Sequence, residues 1–183
     1  MSATATKLVT LEDYEALGED APYELIRGVL YETMPTKLMH ALVAGRFARF
    51  FGRYADSTLP GEIIVGEGGF VLEEDPDSLL APDVAFIRTE RLLPYRGRND
   101  WIRIPPDVAV EVKSPSNTRA EIARKVEVYL AAGVPLVLVA DTDDETISAH
   151  TPDGRVRVYR VGDDLDGGDV LPGFRVPVAE FFK

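Results

Sequence analysis

The sequence predicts a single α/β domain in which a mixed, curved β-sheet is flanked by helices. The chain has 183 residues, of which 45% are hydrophobic and 28% are charged, and this balance suits one domain with a sizeable core. Short apolar runs typical of strands alternate with segments of helical periodicity. Their order is helix, hairpin, helix, strands, helix, strand and hairpin, and neither a repeat nor a linker divides the chain.

The first elements are a short helix and a hairpin. Thr10 is a candidate N-cap, acidic residues follow it in the first turn, and a helix is predicted over residues 11–17. Two strand-like runs, 24–26 and 29–32, meet at Arg27-Gly28 and predict a hairpin.

A longer helix is predicted over residues 36–54, followed by strand-like runs at 62–65 and 69–72. The two runs are either separate strands or one strand bent at 66–69. The residues of the helix predicted to face the core are spaced three or four apart: Met39, Val43, Phe47, Phe50 and Tyr54.

In the second half, a loop at 114–117 precedes a capping box at 118–121, which opens a helix that ends at Gly133. The apolar run 136–140 predicts a central strand. Two further strands, 146–149 and 155–160, form a hairpin. The tail ends in Phe181 and Phe182, which are predicted to cap a core or contact a partner.

Charged residues occur where two interior strands should have none. The runs 84–87 and 108–110 are apolar, yet Asp83 opens the first, and Glu111 and Lys113 end the second. Residues i and i+2 of a strand point to the same face, so Glu111 and Lys113 project together while Val112 packs on the other side. If the strands are neighbours, Asp83 joins them.

Two explanations fit this group of charges. Buried carboxylates require compensation, and two acids with one lysine either form a salt-bridged cluster at a sheet edge or hold a divalent cation. Oxygen ligands suit Mg²⁺ or Mn²⁺, and Mg²⁺ commonly combines one or two carboxylates with waters and a phosphate oxygen. The second explanation predicts metal-assisted phosphodiester cleavage, in which the lysine orients or deprotonates the attacking water.

The motif resembles the signature of the PD-(D/E)XK nuclease superfamily. Pro82-Asp83 supplies its first half and Glu111-Val112-Lys113 its second. Over roughly residues 10–140 the chain is similar to the Uma2 family of "putative restriction endonucleases". The matching features are YELIRGVLYETMP at 23–35, His40 in the next helix, PDVAFI, DVAVEVKSPSN, and a helix with Lys125, Tyr129 and Gly133.

This resemblance implies a restriction-endonuclease-like fold and a metal-dependent nuclease. Asp83, Glu111 and the Val112 carbonyl would hold Mg²⁺ or Mn²⁺, Lys113 would position the attacking water, and Glu24 would be an additional ligand or would position that water. The alternative for Glu24 is an exposed glutamate at a strand end.

Two further residues are site candidates through the resemblance. Lys125 would approach a substrate phosphate or Glu111, or else form a surface pair with Glu121 at i and i+4 spacing. His40 would lie near the catalytic strands, although a single histidine is more often a packed or surface residue.

The distribution of charge along the sequence affects whether the protein can bind nucleic acid. The formal net charge is −11, whereas nucleic-acid binding depends on local Lys and Arg. The connection between the two halves of the motif is locally basic and contains Tyr95 and Trp101, which could stack on bases. The connection contains five arginines: Arg88, Arg91, Arg96, Arg98 and Arg103. They would either contact nucleic acid, with DNA as the expected partner, or pair with the protein's own acids.

The remaining expectations concern location and assembly. The absence of cysteine excludes disulfides and thiolate metal sites and is compatible with a reducing cytoplasm. No signal peptide or membrane span is apparent, so a cytoplasmic protein is expected. A homodimer is compatible with a DNA substrate. An inactive binding or assembly protein that keeps the nuclease fold is the alternative to an enzyme.

Overall fold

A mixed six-stranded sheet lies at the centre of the computed structural model, which describes residues 8–18, 21–66, 68–98, 100–113 and 117–183. The helices are α1 (Leu11–Glu15), α2 (Leu38–Ser57), α3 (Thr89–Leu92), α4 (Arg119–Ala131) and α5 (Ala179–Phe182). The first strands are β1 (Tyr23–Ile26), β2 (Val29–Glu32), β3 (Gly61–Val65), β4 (Phe70–Glu73), β5 (Ser78–Leu80) and β6 (Val84–Arg88). The later strands are β7 (Val108–Lys113), β8 (Leu136–Asp141), β9 (Thr146–His150), β10 (Val156–Arg160), β11 (Asp164–Asp166) and β12 (Arg175–Pro177).

The central sheet has the order β10-β9-β8-β7-β6-β3. Its β7 and β8 run parallel, and its other neighbouring pairs are antiparallel. One face packs against α2 and α5, and the other packs against α4. The predicted α/β domain with a mixed sheet between helices is therefore confirmed, and β8 is central as expected.

The strands divide into more sheets than the sequence predicted. Besides the central sheet, β2-β1-β5-β4 forms a four-stranded sheet, and β11 pairs with β12. Strand β3 belongs to the central sheet and β4 to the four-stranded one, so of the two alternatives the pair of separate strands is correct. Strand propensity identifies residues that fit a pleated surface but does not specify their partners. Glu67, within the predicted bend, and residues 114–116 of the predicted loop lie outside the described residues.

The buried face of α2 differs from the predicted one. Its buried residues are His40, Val43, Phe47, Phe51 and Tyr54. Met39 is instead 39% exposed, and Phe50 lies at the margin of the core. Both sets have helical spacing, and packing against the sheet determines which one faces inward.

Local signals at the helix ends are confirmed. Thr10 and Thr118 each form a capping box, with Asp13 and Glu121 respectively. Helix α1 ends at Glu15, two residues earlier than predicted. Both C-terminal phenylalanines are buried in the core that α2 covers, which identifies the core as what the tail caps. Within the described residues, the helices do not combine the length and apolar character that a membrane span needs.

Candidate functional site

Asp83 lies beside the end of β7 because β6 and β7 are antiparallel neighbours. Val84 is opposite Val110, so Asp83 precedes this pair on one strand and Glu111 follows it on the other. The Asp83 Oδ2 accepts a hydrogen bond from the backbone N–H of Val112 at 2.7 Å. The Val112 side chain is buried on the opposite face, against the core that α2 covers, as the alternation predicted. The two halves of the motif thus meet at one place.

Glu111 is buried against α4, with only 3% of the residue exposed. Its Oε1 accepts a hydrogen bond from the Tyr129 hydroxyl at 2.7 Å, and its Oε2 accepts one from the Lys125 ammonium at 2.8 Å. Burial raises the pKa of Glu111 to about 7, Lys125 opposes this shift, and the charges of Asp83 and Glu24 add to it. Three carboxylates therefore interact at this end of the sheet.

Lys125 is the cation of this group. Its Nζ lies 2.8 Å from Glu24 Oε1 and 2.8 Å from Glu111 Oε2. Burial favours a lower pKa for Lys125, but the charges of Glu111 and Glu24 outweigh burial and raise its pKa well above the usual range. Burial and then the charge of Glu111 also raise the pKa of Tyr129 well above the usual range, so its hydroxyl stays a donor. Lys125 is thus not in a surface pair with Glu121, and Glu24 is not an exposed strand end.

His40 comes to the same place from α2. Its Nε2 lies 3.1 Å from Asp83 Oδ2, and its side chain is buried. The His40 Nδ1 is also buried and has no hydrogen-bond partner among the described residues. His40 and the Val112 N–H therefore hold the same oxygen of Asp83 from two directions.

Lys113 points to a different group of acids. It shares a face of β7 with Glu111, but its Nζ lies 3.1 Å from Asp141 Oδ2 and 3.4 Å from Asp143 Oδ2. Lys113 is paired with Asp141 in the parallel register of β7 and β8. The alternative in which Asp83, Glu111 and Lys113 form one salt-bridged cluster is therefore wrong, because Lys113 contacts Asp141 and it is Lys125 that contacts Glu111.

Three arginines of the arginine-rich connection pair with the protein's own acids, which was one of the two alternatives. Arg88 and Arg91 lie against Asp107, and Arg103 pairs with Glu74. Trp101 donates its indole N–H to Glu15 and is only partly exposed.

Arg96 and Arg98 behave differently from the other arginines of this connection. Both are exposed, and the Arg98 guanidinium lies 5.9 Å from the centre of the Tyr95 ring. Among the described contacts, none links Arg96 or Arg98 to Glu111 or Asp83. Any role for these two arginines is consequently at a surface rather than in the carboxylate cluster.

Two site contacts were not predicted. The sequence placed Lys125 and Tyr129 on one helix face through their i and i+4 spacing, but nothing in it assigned the Tyr129 hydroxyl to Glu111. For Asp141 there was no usable signal, because its contact with Lys113 depends on the register of two strands that are distant in sequence.

The candidate ligand atoms at this site are oxygens, which hard cations such as Mg²⁺ prefer. Among the described residues, no three His, Cys, Asp or Glu side chains form a ready-made metal site. Mg²⁺ does not require one, since one or two carboxylates and several waters commonly suffice. The Asp83 and Glu111 carboxylates and the Val112 carbonyl are oxygen donors, and the three interacting acids outnumber the single ammonium of Lys125. The residues therefore fit a largely hydrated Mg²⁺ or Mn²⁺.

Comparisons with known proteins extend over nearly the whole chain. The Uma2 family model, described as "Putative restriction endonuclease", matches residues 11–179. A solved structure from Anabaena variabilis, described as a "putative nuclease belonging to DUF820", matches with a TM-score of 0.82 and 17% sequence identity. That match covers 95% of this chain and 97% of the other, and it shows that the fold is shared. The comparison with curated proteins found no match.

Proposed function

The chain belongs to the Uma2 family, and on this premise we propose that it is a metal-dependent endonuclease that hydrolyses phosphodiester bonds, with DNA as its substrate. Its expected partners are nucleic acid and a second copy of the chain, and its expected location is the cytoplasm. The observation that carries the proposal is the convergence of Asp83 and Glu24 on Glu111 at the end of β7, where Lys125 contacts only Glu24 and Glu111 among the three acids. Buried carboxylates in excess over an ammonium favour a bound divalent cation.

In this proposal Asp83, Glu111 and the Val112 carbonyl hold Mg²⁺ or Mn²⁺. When bound, the ion would polarise the phosphate and lower the pKa of a water molecule. The protein prepares these ligands. Tyr129 and Lys125 orient the Glu111 carboxylate, and His40 and the Val112 N–H orient Asp83, as groups behind metal ligands commonly do.

Two lysines have distinct proposed roles toward the substrate. Lys113 positions the attacking water, and its contacts with Asp141 and Asp143 hold its ammonium until substrate arrives. Lys125 provides the charge that meets a substrate phosphate. Arg96 and Arg98 are the proposed contacts to more distant phosphates, since both are exposed.

The test is cleavage of supercoiled plasmid and of single-stranded DNA with Mn²⁺, Mg²⁺ or EDTA. We expect nicking by the wild type with either metal and none with EDTA. Asp83→Asn should lose metal binding and cleavage, whereas Lys113→Ala should bind metal but cleave at least about a hundredfold more slowly. Glu74→Gln is the control, because Glu74 is an exposed acid paired with Arg103, and both activities should persist.

An inactive binding protein is the second candidate, favoured by the net charge of −11 and by the internal pairing of Lys125. Melting temperature separates the two functions, because a native-state ligand raises it. A wild-type protein that is folded but neither cleaves DNA nor is stabilised by Mn²⁺ would reject the nuclease and leave the binding protein.

A further inference from the structure

We propose that Lys125 is an internal cation that occupies the position between Glu24 and Glu111 and competes with a divalent ion for the Glu111 carboxylate. This inference rests on the proposed function, which makes Glu111 a metal ligand. It gives Glu24 a different role from the predicted one. Glu24 becomes the residue that positions Lys125, rather than a ligand of the metal.

The Lys125 ammonium lies between Glu24 and Glu111, as a bound metal cation would. Lys125 Nζ is 2.8 Å from one oxygen of each glutamate, and the side chains of Lys125, Glu24 and Glu111 are only 18%, 12% and 4% exposed. Each residue comes from a different element, α4, β1 and β7. Three parts of the fold therefore converge to enclose a single positive charge.

Glu111 has lone-pair sites that its two hydrogen bonds leave unused. A carboxylate offers about four lone-pair sites on its two oxygens. Lys125 uses one site on Oε2, and the Tyr129 hydroxyl uses one on Oε1. Competition with a metal would thus arise from charge rather than from a blocked ligand.

Electrostatics determines whether removal of Lys125 strengthens or weakens metal binding. A divalent ion on Glu111 would lie within a few ångströms of the Lys125 ammonium, where repulsion between partly buried charges is much stronger than in water. Loss of the orienting hydrogen bond from Lys125 would typically weaken metal binding by about 10- to 100-fold. The repulsion between a unit charge and a divalent ion at this range is larger, so removal of Lys125 should strengthen binding.

The sharpest test removes Lys125 together with Glu24. The double variant Glu24→Gln/Lys125→Met deletes both members of a buried ion pair, a change that proteins often tolerate because no uncompensated charge remains. If Glu24 is a metal ligand and Lys125 only orients Glu111, this variant should bind Mn²⁺ more weakly than the wild type. If Lys125 competes with the metal, it should bind Mn²⁺ about tenfold or more tightly.

Titration calorimetry with Mn²⁺ alone, checked by the rise in melting temperature, provides the measurement. Lys125→Met is the companion variant and should gain still more affinity, at some loss of stability, because two buried carboxylates lose their counter-ion. Arg124→Met is the matched control. It removes a positive charge from the adjacent position of α4, where Arg124 lies over the Tyr31 ring, and the Mn²⁺ affinity should stay within about twofold of wild type.

Equal or weaker Mn²⁺ binding by the double variant would overturn the competition, and so would an equal gain in Arg124→Met. The plasmid assay on the wild type keeps this result separate from the proposed function. Nicking by the wild type together with weaker binding by the double variant would reject only the competition. Tighter binding by the double variant, in a protein that never cleaves DNA, would reject only the nuclease.

Discussion

At the scale of single residues, Glu111 makes the stability of the metal-free protein depend on pH. Burial raises its pKa from 4.5 to about 7 in the folded protein. The folded state therefore binds the Glu111 proton more tightly than the unfolded state does. This contribution to stability is complete below pH 4.5 and is lost as pH rises through about 7.

Glu111→Gln removes this titration and should change the slope of stability against pH. Between pH 5 and 8, the free energy of unfolding of the wild type should fall relative to that of Glu111→Gln by at most about 1.4 kcal/mol per pH unit. Lys125 stays charged throughout this range, so loss of its contact adds a constant difference only. Urea denaturation in EDTA at each pH measures the effect, and parallel curves for the two proteins would contradict it.

Some residues of the site, but not all of their contacts, could be predicted from the sequence. Asp83 and Glu111 were predictable because charge at the ends of two apolar strands requires compensation. Glu111 was also one of the partners that the family resemblance implied for Lys125, and the structure shows that contact. The partner of Lys113 was not predictable. Lys113 lies two residues from Glu111 yet contacts Asp141, and only the parallel register of β7 and β8 determines that choice.

At the scale of elements, α4 brings two donors to Glu111, and its position depends on how it begins. The Thr118 side chain accepts a hydrogen bond from the Glu121 N–H, and the Glu121 carboxylate accepts one from the Thr118 N–H. Thr118→Ala should therefore lower the free energy of unfolding by about 0.5–2 kcal/mol. Thr118→Ser keeps the hydroxyl and should match the wild type in the same urea experiment. Equal losses in the two variants would show that the hydroxyl does not stabilise the helix.

Elements were predictable to the extent that their signals are local. The capping boxes of α1 and α4 involve residues three apart, so the sequence alone identifies them. The inward face of α2 and the assignment of β3 and β4 to different sheets depend on distant partners. For α2, apolar residues on adjacent faces made two rotations compatible with helical spacing, and only contact with the sheet selects Phe51 over Phe50.

At the scale of the whole molecule, the net charge of −11 makes the placement of the exposed cations decisive for nucleic-acid binding. Within the arginine-rich connection, Arg88, Arg91 and Arg103 have acidic partners. Arg96 and Arg98 have none among the described residues, so they are the cations of this connection that remain available to phosphates.

Arg96→Ala/Arg98→Ala should consequently weaken DNA binding and flatten its dependence on salt. Each lost phosphate contact lowers the slope of log K against log salt by about 0.9, so the double variant should lose about 1.8. The measurement is fluorescence anisotropy with labelled DNA in EDTA, which prevents metal-dependent cleavage, over a series of salt concentrations.

Arg155→Ala/Arg157→Ala is the control with the same change in net charge. Arg155 pairs with Asp153 and Arg157 lies over Tyr159, at the β10 edge of the central sheet. A loss of slope confined to the first variant would locate the DNA path beside the connection, whereas equal losses would mean that only total charge matters and that this connection does not bind DNA.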